Sequence, residues 1–485
     1  MLPTLTVPRP IQLVVDDVGW REGWDLSETG GPFRAGVDRL LGRLDYEAVA
    51  DLGEALGIRP QCAMVMCEWD MHNVCAGCPT ATQSGAAWDN TARVGPWMGE
   101  CAEVFRTRSA HIELALHGVG HEHWEQGQRT RAEWFGQDVD DRWPWDVVQT
   151  HIACFTRLID QHGLGPATGM SFPPSFVPCA FRFYWDNADP ESTGALVASA
   201  GVRYASTPYS SCTFAGEQPE RPDGGFEHGV LVLDRGSSGI PWFVWDTVPE
   251  GIPTTSICGI HWPNLLTPSP RDNGASVARW CEYLSELGKS DGLMLARSMS
   301  ETCSQWIHSQ YTTIQRQGND WCLDTSGIPV SVSQWGMAGP PVVSLPLGQG
   351  GRVPALRCEG GRIVARWEDD GHAYFGVRLD EAGRCRVHCS EQEGESPCVR
   401  RSGTYNVLDL RFQGETFSLG LELFGRQRVP IRGCGALTSV AVAGAGATVH
   451  AVTYDTAEQE ALIDLSVDDI QGRTLTVTGK LARGS

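Results

Sequence analysis

Residues 111–124 read HIELALHGVGHEHW and hold four of the chain's 13 histidines. His117 and His121 stand four apart, with Gly118 and Gly120 between them, directly after an apolar run at 112–116. One helical turn following a strand would aim both rings into the same space. Two imidazoles and one carboxylate hold a divalent metal while leaving positions open for water, as hydrolytic zinc sites require. The carboxylate candidate closes an earlier apolar run: IQLVV at 11–15 ends in Asp16 and Asp17. Adjacent carboxylates at a buried strand end are costly without a cation or a chemical role. A third motif, TTSICGIHWPN, places His261 after another apolar run. Each motif alone is weak, since Asp-Asp is usually a cap and a lone histidine usually a rim residue. Their strength is the repetition, because all three stand where a strand delivers its last residues.

The surrounding pattern supplies those strands. After IQLVV, residues 45–57 predict a helix with Asp45 as N-cap, Val49, Leu52 and Leu56 on one face, and Gly57 as the stop. An apolar strand at 62–66 completes a βα unit. Further helices are expected at 99–107, 145–162, 194–200 and 274–287, and strands at 112–116, 230–233, 242–245 and 256–260. From about Trp321 the pattern changes to short alternating strands between Gly- and Asp-rich turns, as in RIVARW–EDDG–HAYFGVRL–DEAG–RCRVHC. The expectation is therefore an α/β chain with two domains: a barrel-like α/β domain over 1–305 and an all-β, antiparallel sandwich over 306–485.

Composition narrows the class. The 485 residues are 41% apolar and 20% charged, with a formal net charge of −21. So acidic a surface repels nucleic acid and anionic membranes, so neither is expected as a partner. No run approaches eighteen apolar residues, and MLPTLTVPRP lacks the features of a secretory signal. The reading is a cytoplasmic protein whose 17 cysteines are mostly reduced, buried thiols.

The order VVDD, HGVGH, a proline-rich SFPPSF at 171–176, and GIH at 259–261 resembles the polysaccharide deacetylase (NodB-homology, carbohydrate esterase family 4) superfamily over roughly residues 10–290. That resemblance implies an irregular (β/α) barrel. It implies Asp17, His117 and His121 as ligands of a divalent metal, most often Zn²⁺, with Co²⁺, Ni²⁺, Mn²⁺ or Fe²⁺ as alternatives. Asp16 would be the general base and His261 the general acid in removal of an N-acetyl or similar N-acyl group from an amino sugar or sugar-bearing metabolite. A backbone N–H near Pro174 and Ser175 would serve the oxyanion. One departure stands out. The family's arginine before the proline pair is replaced by Phe172, which leaves Asp246, that arginine's usual partner, without its mate.

Other residues have weaker claims. Trp69 and Asp70 follow a strand and are expected near the barrel mouth; His123 and Trp124, close to the metal ligands, are expected to line a substrate pocket. CEWDMHNVCAGC offers Cys67, His72, Cys75 and Cys78 for a second metal, against the plainer reading of a rim loop with incidental thiols. His111 precedes its strand and is discounted. Trp242 and Trp245 suit either sugar stacking or core packing. Two histidines and a carboxylate would equally hold Fe(II) for oxygen chemistry. A glycoside hydrolase with a related barrel needs a second opposed carboxylate that the sequence does not identify. A glycan-binding protein without activity would fit the absent arginine but not the intact Asp-His-His set.

Overall fold

The computed structural model describes residues 4–136, 142–216, 218–219, 221–347, 355–369, 371–380, 383–390 and 396–482. The chain divides into two compact units, Gln12–Tyr283 and Met1–Ile11 with Leu284–Ser485.

The first unit is built on strands buried on both faces. β1 (Arg9–Val18) is followed by α1 (Arg43–Leu56), β2 (Gln61–Val65), α2 (Pro96–Thr107), β3 (Glu113–Gly118) and α3 (Trp145–Gln161). Then come β4 (Ser175–Phe176), α4 (Thr193–Ser199), β5 (Tyr204–Thr207), β6 (Gly224–Glu227), β7 (Val230–Asp234), β8 (Ile257–His261) and α5 (Asn273–Gly288). The strand order is β6-β7-β5-β4-β3-β2-β1-β8, parallel throughout except for the antiparallel β6–β7 hairpin. Parallel strands need apolar residues on both faces, and β2 and β3 are buried along their whole lengths.

The sheet is curled and open. Among the described residues no pairing joins β6 to β8, so the expected barrel does not close. The strand expected at 242–245 is absent; that stretch forms turns. Its alternating aromatics have separate tasks: Trp242 packs 5.1 Å from Phe33, and Trp245 lies under the Arg39 guanidinium at 5.0 Å. Asn264 ties the turn down by donating its side-chain amide to the carbonyls of Pro241 and Val244. One cap also differs. Gly42 precedes α1, and Asp45 sits three residues inside, accepting from the Gly42 N–H at 2.9 Å and ion-paired to Arg39 at 2.6 Å. Gly57 ends the helix at φ 63°, as its position in the sequence implied.

In the second unit, residues 9–11 of β1 pair with Leu293–Leu295. The expected boundary after 305 would cut helix Met299–Tyr311, which is bound into this unit. Gln305 donates to the carbonyl of Val342 at 2.9 Å, Ser300 donates to Glu422 at 2.7 Å, and Glu301 is ion-paired to Arg401.

Three separate sheets follow, and the single sandwich expected becomes two layered cores. Trp321, Leu323 and Val387 of one four-stranded sheet pack with Val343, Phe375 and Val377 of a seven-stranded sheet. Farther along that same sheet, Val364, Val429 and Ile463 meet Leu419, Leu421 and Val477 of a second four-stranded sheet. Within these three sheets, all pairings among the described residues are antiparallel except that of Gly361–Glu368 with Cys398–Arg400. RCRVHC therefore leaves the hairpin preceding it and joins another sheet, between Asp320–Asp324 and Ala355–Glu359.

Candidate metal centre

β1 carries the first two acidic residues into the site through a bulge. Its register with β2 shifts between Val15 and Val18, and Asp17 takes the left-handed conformation at φ 60°. The bulge lets both Asp16 and Asp17 leave the strand buried, at 1% exposure each. On the other side of β1, Asp16 stands in register with His261 at the end of β8. Two of the three motifs are therefore strand neighbours.

The histidine motif is not a helical turn. His117 and Gly118 are still in β3, and residues 119–121 form a tight loop ending with His121 at φ 64°. The two glycines make that loop possible. A Cβ on Gly118 would lie 2.2 Å from Glu133 Oε2, and one on Gly120 would lie 1.7 Å from the carbonyl oxygen of Ala81. The Glu133 carboxylate accepts from the backbone N–H groups of Val119, Gly120 and His121 at 2.8, 3.2 and 2.8 Å. His151 Nδ1 contacts Glu133 Oε1 at 2.9 Å, and its Nε2 contacts Thr80 Oγ1 at 2.8 Å. A buried carboxylate thus gathers three successive amides and fixes the loop bearing His121.

His117 Nε2 and His121 Nε2 stand 3.3 and 3.2 Å from one oxygen, Asp17 Oδ1. Donors each about 2.1 Å from a shared ion are roughly 3.0–3.4 Å apart, and both separations fall in that range. Two of these atoms lack other partners among the described residues: Asp17 Oδ1 and His117 Nε2 are buried without a hydrogen bond. His117 Nδ1 lies 2.7 Å from the carbonyl of Val177 and must carry a proton there, so Nε2 is the atom that faces Asp17. Burial alone would raise the Asp17 carboxyl. The imidazoles of His121, His117 and His261 outweigh it and hold the group below the ordinary carboxylate range. Burial in turn pulls the His121 pKa well below the ordinary imidazole value.

Cys179 is also close to both histidines. Its sulfur forms a buried group with His117 and His121, with donor atoms within 4.8 Å of one another, and this group could hold a metal ion. Its thiol, however, donates to the backbone carbonyl of His117 at 3.2 Å, and burial together with Glu133 pushes its pKa well up. Asp17 Oδ1, for its part, is the oxygen shared between both imidazoles.

Asp16 meets an arginine that the sequence did not single out. Arg235, directly after β7, brings Nη1 to 2.7 Å from Asp16 Oδ2, with both side chains buried. Gly259 makes room for it, since a Cβ there would lie 2.0 Å from Arg235 Nη2. Phe181 covers the guanidinium at 4.8 Å. The available signal was an arginine closing the apolar run VLVLDR, but it lies far from SFPPSF in sequence. Phe172 instead packs near Phe155. Asp246 has a mate after all: it forms a surface ion pair with Arg279, whose Nε is 3.0 Å away. His261 Nε2 is 3.9 Å from Asp17 Oδ2, and the backbone N–H of His261 donates to Asn264 Oδ1.

Several expected substrate contacts lie elsewhere. Trp69 is fully buried, its indole donating to the carbonyl of Gly19 among Tyr46, Trp97 and His162. Asp70 is a buried loop anchor accepting from Cys75 N–H, Trp88 and Gln161. Ser175 donates to Glu113 at the opposite, amino-terminal end of β3, so SFPPSF enters the sheet from the far edge. Pro174 only accepts the Arg203 and Tyr204 amides. It is the loop after β4, with Val177, Cys179 and Phe181, that reaches the site. His123 stacks on Trp143 at 3.8 Å, and Trp124 donates to Glu122. In the cysteine loop, Cys75 meets Cys154 at 3.8 Å, a thiol from α3 that the loop's own spacing cannot reveal. Among the described residues, no group joins Cys67, His72, Cys75 and Cys78 as metal donors.

No helix among the described residues is long and apolar enough to cross a membrane. No family model matches the chain, and no curated protein matches its sequence.

Proposed function

We propose that the chain is a metal-dependent amide hydrolase of the NodB type, removing an N-acyl group from an amino sugar. The observation that carries this reading is the Asp17 oxygen held within 3.3 Å of both imidazoles, beside a second buried carboxylate that has its own arginine. Asp17, His117 and His121 would hold the ion. Mixed nitrogen and oxygen donors suit Zn²⁺ and its neighbours Co²⁺, Ni²⁺, Mn²⁺ and Fe²⁺. Such an ion, when bound, lowers the pKa of water toward neutrality and polarises an acyl carbonyl.

The remaining steps belong to side chains. Asp16 accepts the proton of the attacking water at a carboxylate oxygen, and Arg235 orients that carboxylate and balances its charge in the buried site. His261, across the strand register from Asp16, delivers a proton to the departing nitrogen. Without it, C–N cleavage would expel a strongly basic anion. Acetate release from N-acetylated amino sugars tests the reading. Turnover should require a divalent ion, stop with chelator and return on reloading. Release that is indifferent to chelator would overturn it.

A further inference from the structure

The surface beside His121 suggests which amino sugar would fit. Phe33 packs 4.5 Å from the His121 ring, and Trp242 lies 5.1 Å from Phe33. Arg131 stands over the same Phe33 ring at 4.1 Å and is 5.9 Å from Trp242. Phe33 is buried, Trp242 is half-buried, and Phe243, packed on Trp242 at 5.3 Å, is 51% exposed. This wall is seated deliberately: Gly36 has φ 76°, and a Cβ there would lie 2.3 Å from the Trp242 ring.

Arg131 is exposed, and among the described residues it has no carboxylate partner. Its neighbour Arg129 differs, pairing with Glu122 at 3.4 Å. In a chain of net charge −21, an anionic substrate is repelled at long range and needs a local cation to be retained. A guanidinium held against an aromatic ring loses little freedom on gripping a carboxylate, and an indole face suits a sugar ring.

Resting on the hydrolase reading above, we propose that the substrate is an N-acyl amino sugar bearing a carboxylate, with Arg131 binding the carboxylate and Trp242 the ring. The test compares N-acetylmuramic acid with N-acetylglucosamine, which differ by the acidic lactyl group. The metal-loaded enzyme should favour the acidic sugar in kcat/KM by at least about tenfold, in line with a charge-assisted hydrogen bond. Arg131→Gln should bring that ratio close to one, and Arg131→Lys should restore part of it. Equal rates, preference for the neutral sugar, or a ratio unchanged in Arg131→Gln would overturn the proposal. If neither sugar releases acetate, the hydrolase reading fails for these sugars, and calorimetric binding to the metal-loaded Asp16→Asn variant decides the proposal separately. Tighter binding of the acidic sugar that is lost in Asp16→Asn/Arg131→Gln supports it; equal binding of both sugars overturns it.

Discussion

Arg235 Nη1 lies 2.7 Å from Asp16 Oδ2, both side chains buried, although the two residues come from strands at different places in the sheet order. This contact sets a counter-charge beside a buried carboxylate. Breaking a buried pair by removing one partner typically costs about 3–5 kcal/mol, because the other charge stays behind. Arg235→Gln should therefore lower the melting temperature and reduce acetate release by roughly 10²-fold or more, while the bound metal is kept. Arg235→Lys should recover part of the activity. Full activity in Arg235→Gln would show that Asp16 needs no such partner.

Gly259 gives an independent handle on the same pair. A methyl group at that position would meet the guanidinium at 2.0 Å, so Gly259→Ala should displace Arg235 without removing its charge. Its activity loss should follow that of Arg235→Gln. Steady-state kinetics on the two single variants and the double variant measure this, and simple additivity would contradict a shared cause.

Glu133 holds the loop between His117 and His121 of the candidate site through three amides and His151. Groups that orient ligands commonly contribute 10–100-fold in metal affinity. Glu133→Gln retains the size but lacks the charge and one acceptor, and should weaken zinc binding by about that factor. Competition with a chromogenic chelator reads this out, and unchanged affinity would assign Glu133 to the fold alone.

Away from the centre, Glu227 should give a measurable pH dependence of stability. It is buried beside Ser192 and the Asp186 amide, and burial raises its pKa from 4.5 to about 8. The folded chain thus holds this proton more tightly than the unfolded chain. The stabilisation is complete below about pH 4.5 and is lost as pH rises through about 8. Glu227→Gln should flatten that part of the melting-temperature profile. An identical slope in wild type and variant between pH 5 and 8 would rule out this assignment.

Much of the first unit was legible because buried parallel strands and amphipathic helices leave periodic traces. The runs ending at Asp17, Leu116 and Ile260 all became strands of one sheet. Harder to see was anything set by contacts distant in sequence. The Trp242–Trp245 alternation imitates a strand, yet its rings answer to Phe33 and Arg39. Arg235 carries no motif, and only the fold brings it to Asp16. Trp69 and Asp70 follow a strand as a mouth residue would, but the loop folds inward and buries them. RCRVHC reads as the third strand of a meander, whereas its pairing partners lie on either side of a long excursion.

The central claim is that Asp17, His117 and His121 share one divalent ion, and elemental analysis of purified protein tests it most directly. Wild type and Cys179→Ser should each carry one equivalent of metal per chain, while Asp17→Asn, still folded by circular dichroism, should carry almost none. A full equivalent retained in Asp17→Asn, or lost in Cys179→Ser, would contradict the account.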